Sequence, residues 1–110
     1  FEIFRDFVTR FPDSRYVADA HQRMAEILNL LAKHDLNIAH YYARRGAYVA
    51  TINRAKYVIE RYPELPAVEH ALGIMVTTYE KMGLNALRND TLRILELNYP
   101  NSNYLPPDNN

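Results

Sequence analysis

Apolar residues recur at three- and four-residue spacing along most of this chain, a pattern typical of amphipathic helices. Between Ser14 and Arg45 there is neither glycine nor proline, so a helix can continue without interruption. The apolar stripe of that stretch comprises Ala20, Met24, Ile27, Leu31, Ile38 and Tyr42, and only Asp35 intrudes on it. We predict one long helix over residues 14–45. The alternative is a break near His34 and Asp35, with the aspartate capping a second helix.

The two ends of the chain carry further expectations. Phe1, Phe4, Phe7, Val8 and Phe11 lie at helical spacing with no capping residue before them, so we expect residues 1–110 to be a single domain from a longer protein. The C-terminal stretch "NYLPPDNN" is stiff and polar and is expected to end the fold. Whether Leu105 packs back onto the last helix is left open.

Three proline-containing segments repeat along the chain: "RFPDSRY" at 10–16, "RYPELPA" at 61–67 and "NYPNSNY" at 98–104. An aromatic residue precedes each proline, and the fifth residue before each proline is apolar. Ahead of the second and third prolines, a tyrosine and a glycine recur with an offset of 37 residues. The two matching sets are Tyr42, Gly46, Pro63 and Tyr79, Gly83, Pro100.

This spacing is typical of a helical hairpin. The tyrosine ends the first helix, the glycine takes the tight turn, a second helix runs for about 15 residues, and the proline stops it. Polar residues after the prolines are expected to cap the helix that follows; these are Asp13, Ser14, Asn101 and Ser102. Each hairpin leaves one apolar face uncovered, so neighbouring hairpins are expected to stack.

The repeat resembles the tetratricopeptide family, whose period is about 34 residues. The residues that carry this resemblance are Ala39, Tyr42, Gly46, Tyr48 and Pro63. Thr51 and Ala55 depart from the family pattern in one copy and Arg88 in the next, so the repeats are divergent. Val and Ile are too few and too evenly spread for alternating strands. The predicted fold is all-α: a tetratricopeptide-like solenoid of helical hairpins, about two and a half repeats with one elongated helix.

Composition narrows the function. Thirteen Lys and Arg balance thirteen Asp and Glu, and there is no cysteine, which removes thiol chemistry and any overall attraction to nucleic acid. The only serines, Ser14 and Ser102, occupy the same turn position of the repeat. The histidines show no metal-ligand spacing; they are His21, His34, His40 and His70. We therefore predict no catalytic residue, no metal and no cofactor, and no apolar run is long enough to span a membrane.

One local cluster remains, in residues 41–61. The helix predicted there has an apolar face that we interpret as core, made of Tyr48, Ile52, Ala55, Ile59 and Tyr62. The neighbouring face carries Ala50, Arg54, Tyr57 and Arg61. Arginine beside tyrosine is the residue mix of interface hot spots, but a solvated flank has the same composition. The residues alone do not favour either of these two interpretations. The balanced net charge disfavours a third, a nucleic-acid-binding patch.

The stretch from "LAKHDLNIAHYYARRGAYVATINRAKYVIERYPELPAVEHAL" to "TYEKMGLNA" resembles the BamD family, also called ComL or YfiO, most strongly in "YYARRGAYVATINR". The resemblance identifies the chain as the C-terminal tetratricopeptide repeats of a lipoprotein of the outer-membrane β-barrel assembly machinery. It implies a non-enzymatic scaffold at the periplasmic face of the outer membrane, lipid-anchored through an N-terminal cysteine that this chain lacks. The implied partners are the POTRA domains of BamA, with other lipoproteins of the machinery and unfolded outer-membrane protein clients as further partners.

The resemblance also implies roles for particular residues. It carries Arg54 over as an ionic contact to a carboxylate of BamA. Arg45 and Tyr48 are added because they lie close to it in the motif, and Tyr57 and Arg61 because they share its predicted face. The alternative function is a periplasmic tetratricopeptide adaptor that binds extended client peptides.

Overall fold

The computed structural model describes Thr9 and residues 15–107, and its regular elements are four helices joined by short turns. They are α1 (Arg15–Arg44), α2 (Tyr48–Arg61), α3 (Ala67–Met82) and α4 (Asn85–Asn98). No strand occurs within these residues, and the all-α prediction is confirmed. Most of the first copy of the proline segment, including Pro12 and the caps expected at Asp13 and Ser14, lies outside the described residues, as do Phe1, Phe4 and Phe7. In the described part, no helix has the length and apolarity needed to cross a bilayer.

α1 is one unbroken helix of 30 residues, so the long-helix prediction is confirmed and the break near Asp35 is not found. Its two halves differ in burial. The C-terminal half packs into the core through Ala32, Leu36 and Ala39, whereas the N-terminal half exposes large apolar side chains such as Ile27. Asp35 lies on the buried side of the packed half, where a capping role is impossible because the helix continues through it.

Both predicted turns have the same hydrogen-bonded geometry. In the first, the Ala47 N–H donates to the Tyr42 carbonyl at 3.0 Å and the Gly46 N–H to the Ala43 carbonyl at 3.1 Å. In the second, Leu84 donates to Tyr79 at the same 3.0 Å separation. These are the paired bonds of a Schellman motif, which needs a left-handed residue after the helix. Gly46 and Gly83 supply it with φ values of 73° and 74°.

The second helix of each hairpin ends as predicted. α2 and α4 are both 14 residues long and stop at the aromatic residue before Pro63 and Pro100, respectively. Val58 and Leu95, which face inward near the C-terminal ends of these helices, are completely buried. Each helix packs on the next, and α1 also packs on α3, so the two hairpins stack as the repeat pattern predicted.

The core is densest around α3, which is apolar on nearly every side and contributes ten of its 16 residues to the interior. Thr51 of α2 is completely buried as well. Its hydroxyl donates to the Ala47 carbonyl one turn earlier at 2.9 Å, which satisfies the only polar group it adds to the core. That bond explains how a threonine replaces the small residue usual at this position of the repeat.

After α4 the chain turns back over α3. Leu105 packs against the apolar cluster of Val68, Leu72 and Leu95, which answers the question that the sequence left open. The expectation that Asn101 and Ser102 cap a following helix is wrong, because residues 101–107 form turns. The Ser102 Oγ instead accepts a hydrogen bond from the Tyr104 N–H at 3.2 Å.

Candidate partner-binding surface

The two faces predicted for α2 are separated in the structure. On the inward face Ile52, Ala55 and Tyr62 are buried, and Ile59 packs against the core while half-buried. The core interpretation of these four residues is confirmed. Ala50, Arg54, Tyr57 and Arg61 lie on the adjoining face, where Arg54 is half-buried and Arg61 exposed. Arg54 therefore stands at the border between the core and the surface.

A buried carboxylate at this border organises three side chains. Asp35 of α1 is only 9% exposed, and the Nη1 of Arg54 lies 3.3 Å from its Oδ1. The hydroxyl of Tyr62 donates to its Oδ2 at 3.1 Å. Both carboxylate oxygens are thus satisfied, which is the condition for burying a charge without a large loss of stability.

The same arrangement acts on the acidity of Tyr62. Burial of its hydroxyl raises the pKa of Tyr62 above the ordinary 10.0, and the hydrogen bond to Asp35 and the negative charge of Asp35 raise it further. Arg61 acts in the opposite direction and is the weaker influence. Tyr62 is therefore a neutral hydrogen-bond donor at any physiological pH.

Arg54 is held on two sides and open on a third. Asp35 fixes its Nη1, and its Cζ lies 5.3 Å from the centroid of the Tyr57 ring. About a third of the side chain, 32%, remains exposed. It borders two open concavities, one lined by Tyr42, Asn53 and Tyr57 and the other by His34, Tyr41 and Arg44. A planar guanidinium has five donors in a fixed geometry, so the unused ones can bind a partner's carboxylate.

Two more arginines stack on tyrosines beside it. The Cζ of Arg45 lies 4.5 Å from the centroid of the Tyr41 ring, and that of Arg61 lies 5.8 Å from the ring of Tyr57. We call Tyr41, Arg45, Arg54, Tyr57 and Arg61 the basic–aromatic surface. Its three cation–π contacts hold long, flexible side chains in place, which reduces the entropy lost when a partner binds.

Tyr48, which the sequence grouped with Arg54, lies elsewhere. It is half-buried and lines a cavity with Ala43, Gly73 and Thr77, between the first turn and α3. Tyr48 lines this cavity and neither of the two concavities beside Arg54, so the structure does not bring it to the basic–aromatic surface. Tyr42, Gly46 and Pro63 shape the turn and helix end that support this surface, and Tyr79, Gly83 and Pro100 do the same in the other hairpin.

Sequence reasoning identified Arg54 but missed its internal partner. Asp35 looked like an intruder on an apolar stripe, yet it lies 11 residues before Gly46 and Arg54 lies 8 residues after it. Residues at similar distances from the turn of an antiparallel hairpin lie side by side. A charged residue inside an apolar stripe, facing an opposite charge across the turn, is the signal that could have revealed the pair.

The chemistry available at this surface is recognition. Guanidinium groups and tyrosine faces bind carboxylates and apolar or planar groups. Among the residues that the structure describes, no group of three or more histidine and carboxylate side chains is placed to hold a metal ion.

Comparison with known proteins gives consistent matches over most of the chain. The family model described as "YfiO: Outer membrane lipoprotein" matches residues 1–95. The chain is 41% identical over 105 residues to a protein of Neisseria meningitidis named outer membrane protein assembly factor BamD. Proteins of the same name from Haemophilus influenzae and Xylella fastidiosa are 46% and 33% identical over 98 and 102 residues.

These matches cover nearly all of this chain but less than half of each relative. They include 96%, 89% and 93% of this chain but only 39%, 37% and 35% of the respective relatives. The chain therefore spans well under half of the length of the relatives that it matches.

Proposed function

This chain belongs to the YfiO family of outer membrane lipoproteins, and we propose that it is a non-enzymatic docking module of the outer-membrane protein assembly machinery. It acts at the periplasmic face of the outer membrane and binds the POTRA region of BamA through the basic–aromatic surface. The names of its relatives support a role in assembly. The choice of BamA rests on the resemblance described above, and the choice of surface rests on the geometry around Arg54.

The observation that carries the proposal is the position of Arg54. Asp35 and Tyr57 hold its guanidinium at the edge of the core while part of it faces an open concavity. A guanidinium fixed in this way loses little side-chain entropy on binding a carboxylate. Because it is partly desolvated, such a contact stabilises a complex more than an ion pair in open solvent does.

The local charge supports the same surface. Residues 41–61 contain five Lys and Arg and a single Glu, in a chain whose formal net charge is zero. A positive patch on a neutral molecule attracts an acidic patch of one particular partner without promoting general association with polyanions. The aromatic rings of Tyr41 and Tyr57, 46% and 39% exposed, add the apolar contact area found in interface hot spots.

The test is the affinity of this chain for the isolated periplasmic region of BamA, measured by calorimetry. Arg54→Glu is expected to weaken binding at least tenfold, or about 1.4 kcal/mol, because it puts a carboxylate where the partner's carboxylate binds. Arg54→Lys keeps the charge but loses the bidentate geometry, so it is expected to fall between the wild type and Arg54→Glu.

The matched control is Arg93→Glu. Arg93 is an exposed arginine of α4 that pairs with Asp90 on the other hairpin, and the substitution makes the same change in net charge. Each variant is first checked for native helicity and unfolding, because Arg54→Glu also places a second carboxylate beside that of Asp35. Unchanged affinity in a folded Arg54→Glu variant, or an equal loss in Arg93→Glu, would refute the assigned surface.

A further inference from the structure

A second feature lies where residues 101–107 of the chain pack on α3. The ring of Tyr104 rests directly on Gly73 in the middle of this helix, and a Cβ atom at Gly73 would overlap the ring. Glycine inside a helix costs about 1 kcal/mol relative to alanine. Here it opens a notch in the helix surface that an aromatic ring occupies.

Two further contacts hold the segment. The hydroxyl of Tyr104 and the Nδ1 of His70 are hydrogen-bonded at 2.7 Å, and the two rings meet edge to face with centroids 5.7 Å apart. Burial, and secondarily Glu69, raises the pKa of Tyr104, so the hydroxyl stays protonated. The next residue, Leu105, packs against the apolar cluster of Val68, Leu72 and Leu95. The site thus recognises a phenol and an adjacent leucine.

The side chains that hold the segment in this site are only partly buried. Tyr104 is 37% exposed, and Leu105 is only half-buried. The ring also forms part of the wall of a cavity of about 230 Å³ that extends beyond Gly73 to His40, Tyr48, Thr77 and Lys81. Short segments without regular structure and with few buried contacts open at low free-energy cost. The site can therefore be vacated without unfolding the helices.

We propose that the notch formed by His70, Gly73 and Leu72 is a binding site for an extended segment of a partner protein that carries a tyrosine followed by a leucine. The chain's own Tyr104 and Leu105 occupy it in the absence of that partner and act as an internal competitor. The chemistry of the occupant is taken from the segment that fits there. The site is separate from the basic–aromatic surface, so this proposal stands or falls independently of docking through Arg54.

The test uses a fluorescein-labelled peptide with the sequence of residues 101–107, "NSNYLPP", and fluorescence polarisation. The full chain carrying Tyr104→Ala and Leu105→Ala leaves the notch open and is expected to bind the peptide saturably. The wild type is expected to bind at least about tenfold more weakly, because the tethered segment has a local concentration on the order of millimolar. A peptide with alanine in place of its tyrosine is expected not to bind.

The matched control adds Gly73→Ala to the open variant. Alanine favours a helix more than glycine does, so this chain stays folded while the new methyl group fills the notch, and peptide binding is expected to be lost. Three results would each overturn the proposal: no binding to the open variant, retained binding after Gly73→Ala, or equal binding of the alanine peptide. A wild-type dimer that dissociates on Tyr104→Ala would also overturn it, since the occupant would then be the tail of a second copy.

Discussion

The two hairpins of this chain share one backbone design but differ in what they place at equivalent positions. Their turns, the 14-residue length of their second helices and the completely buried Val58 and Leu95 correspond with an offset of 37 residues. The same offset relates Asp35, Arg54 and Tyr62 of the first hairpin to Leu72, Thr91 and Tyr99 of the second. The first set forms a buried hydrogen-bonded network. In the second, Leu72 and Tyr99 pack in an apolar cluster.

This difference separates what the fold requires from what it does not. The second hairpin closes its turn and buries its helices without a charged residue at these three positions, and Thr91 satisfies its own hydroxyl on the Leu87 carbonyl at 2.8 Å. A hairpin of this design can therefore form without such a network. Replacing a buried ion pair with apolar groups is often neutral or stabilising. The presence of the network in the first hairpin therefore fits a role in holding Arg54 for a partner.

The largest effect on stability is expected from placing an aspartate in the second hairpin at the position equivalent to Asp35. Leu72→Asp puts an acid into the apolar cluster with Val68 and Leu95, where the position equivalent to Arg54 holds Thr91 and no guanidinium is available to pair with the charge. We expect a loss of about 4 kcal/mol or more in the free energy of unfolding, measured by urea denaturation. Leu97→Asp is the control, since Leu97 is 78% exposed and its substitution should cost only about 1 kcal/mol, from the lower helix propensity of aspartate and its place in the last turn of α4. Similar losses for the two variants would contradict the comparison.

The next effect comes from converting the first hairpin into the second. Asp35→Leu alone is expected to cost about 1–3 kcal/mol, because the Tyr62 hydroxyl and the Arg54 guanidinium both lose their acceptor. Adding Arg54→Thr and Tyr62→Phe is expected to restore most of that stability. Threonine at this position can bond the carbonyl one turn earlier, as Thr91 does.

The restored triple variant is also the sharpest test of docking. It is expected to unfold in urea at nearly the wild-type concentration and yet to bind the periplasmic region of BamA at least about tenfold more weakly. If the three substitutions instead lower stability by the sum of their separate effects, the network is a structural necessity and the comparison fails.

The sequence predicted the shared part of the two hairpins and missed most of what differs. Prolines, glycines and apolar spacing act locally, so the long helix, both turns and both helix ends could be predicted, and the family resemblance is confirmed by the matches to the chain. The pairing of Asp35 with Arg54 depends on how two helices face each other across a turn. The contact of Tyr104 with Gly73 spans 31 residues, and no local pattern encodes it. Arg54 was found through the resemblance, and its role as a partner contact stays a prediction.

The shared turn gives a smaller, symmetrical effect. A Cβ atom at Gly46 or Gly83 meets no atom within 4 Å, and both residues have positive φ, so alanine suffers only the strain of the left-handed conformation. Gly46→Ala and Gly83→Ala are each expected to cost about 1 kcal/mol in thermal or urea unfolding. Equal losses would confirm that one turn is used twice. A difference above about 1 kcal/mol would show that one of the turns has an additional task.

The smallest expected effect is the ionisation of Tyr62, which changes the free energy of unfolding only at alkaline pH. It depends on the network of the first hairpin and not on the turns that the two hairpins share. Burial, and then Asp35, raises its pKa above 10.0 in the folded chain, so the unfolded chain loses this proton first as the pH rises. Stability from the neutral hydroxyl is therefore complete below about pH 10 and is lost as the pH rises through the folded pKa. The free energy of unfolding in urea, measured between about pH 8 and about pH 11, should fall more steeply for the wild type than for Tyr62→Phe.

Some decline should persist in Tyr62→Phe, because the pKa of Tyr104 is raised as well. Parallel curves for the two proteins would mean that Tyr62 ionises alike in the folded and unfolded chains, and that Asp35 does not hold it as a donor.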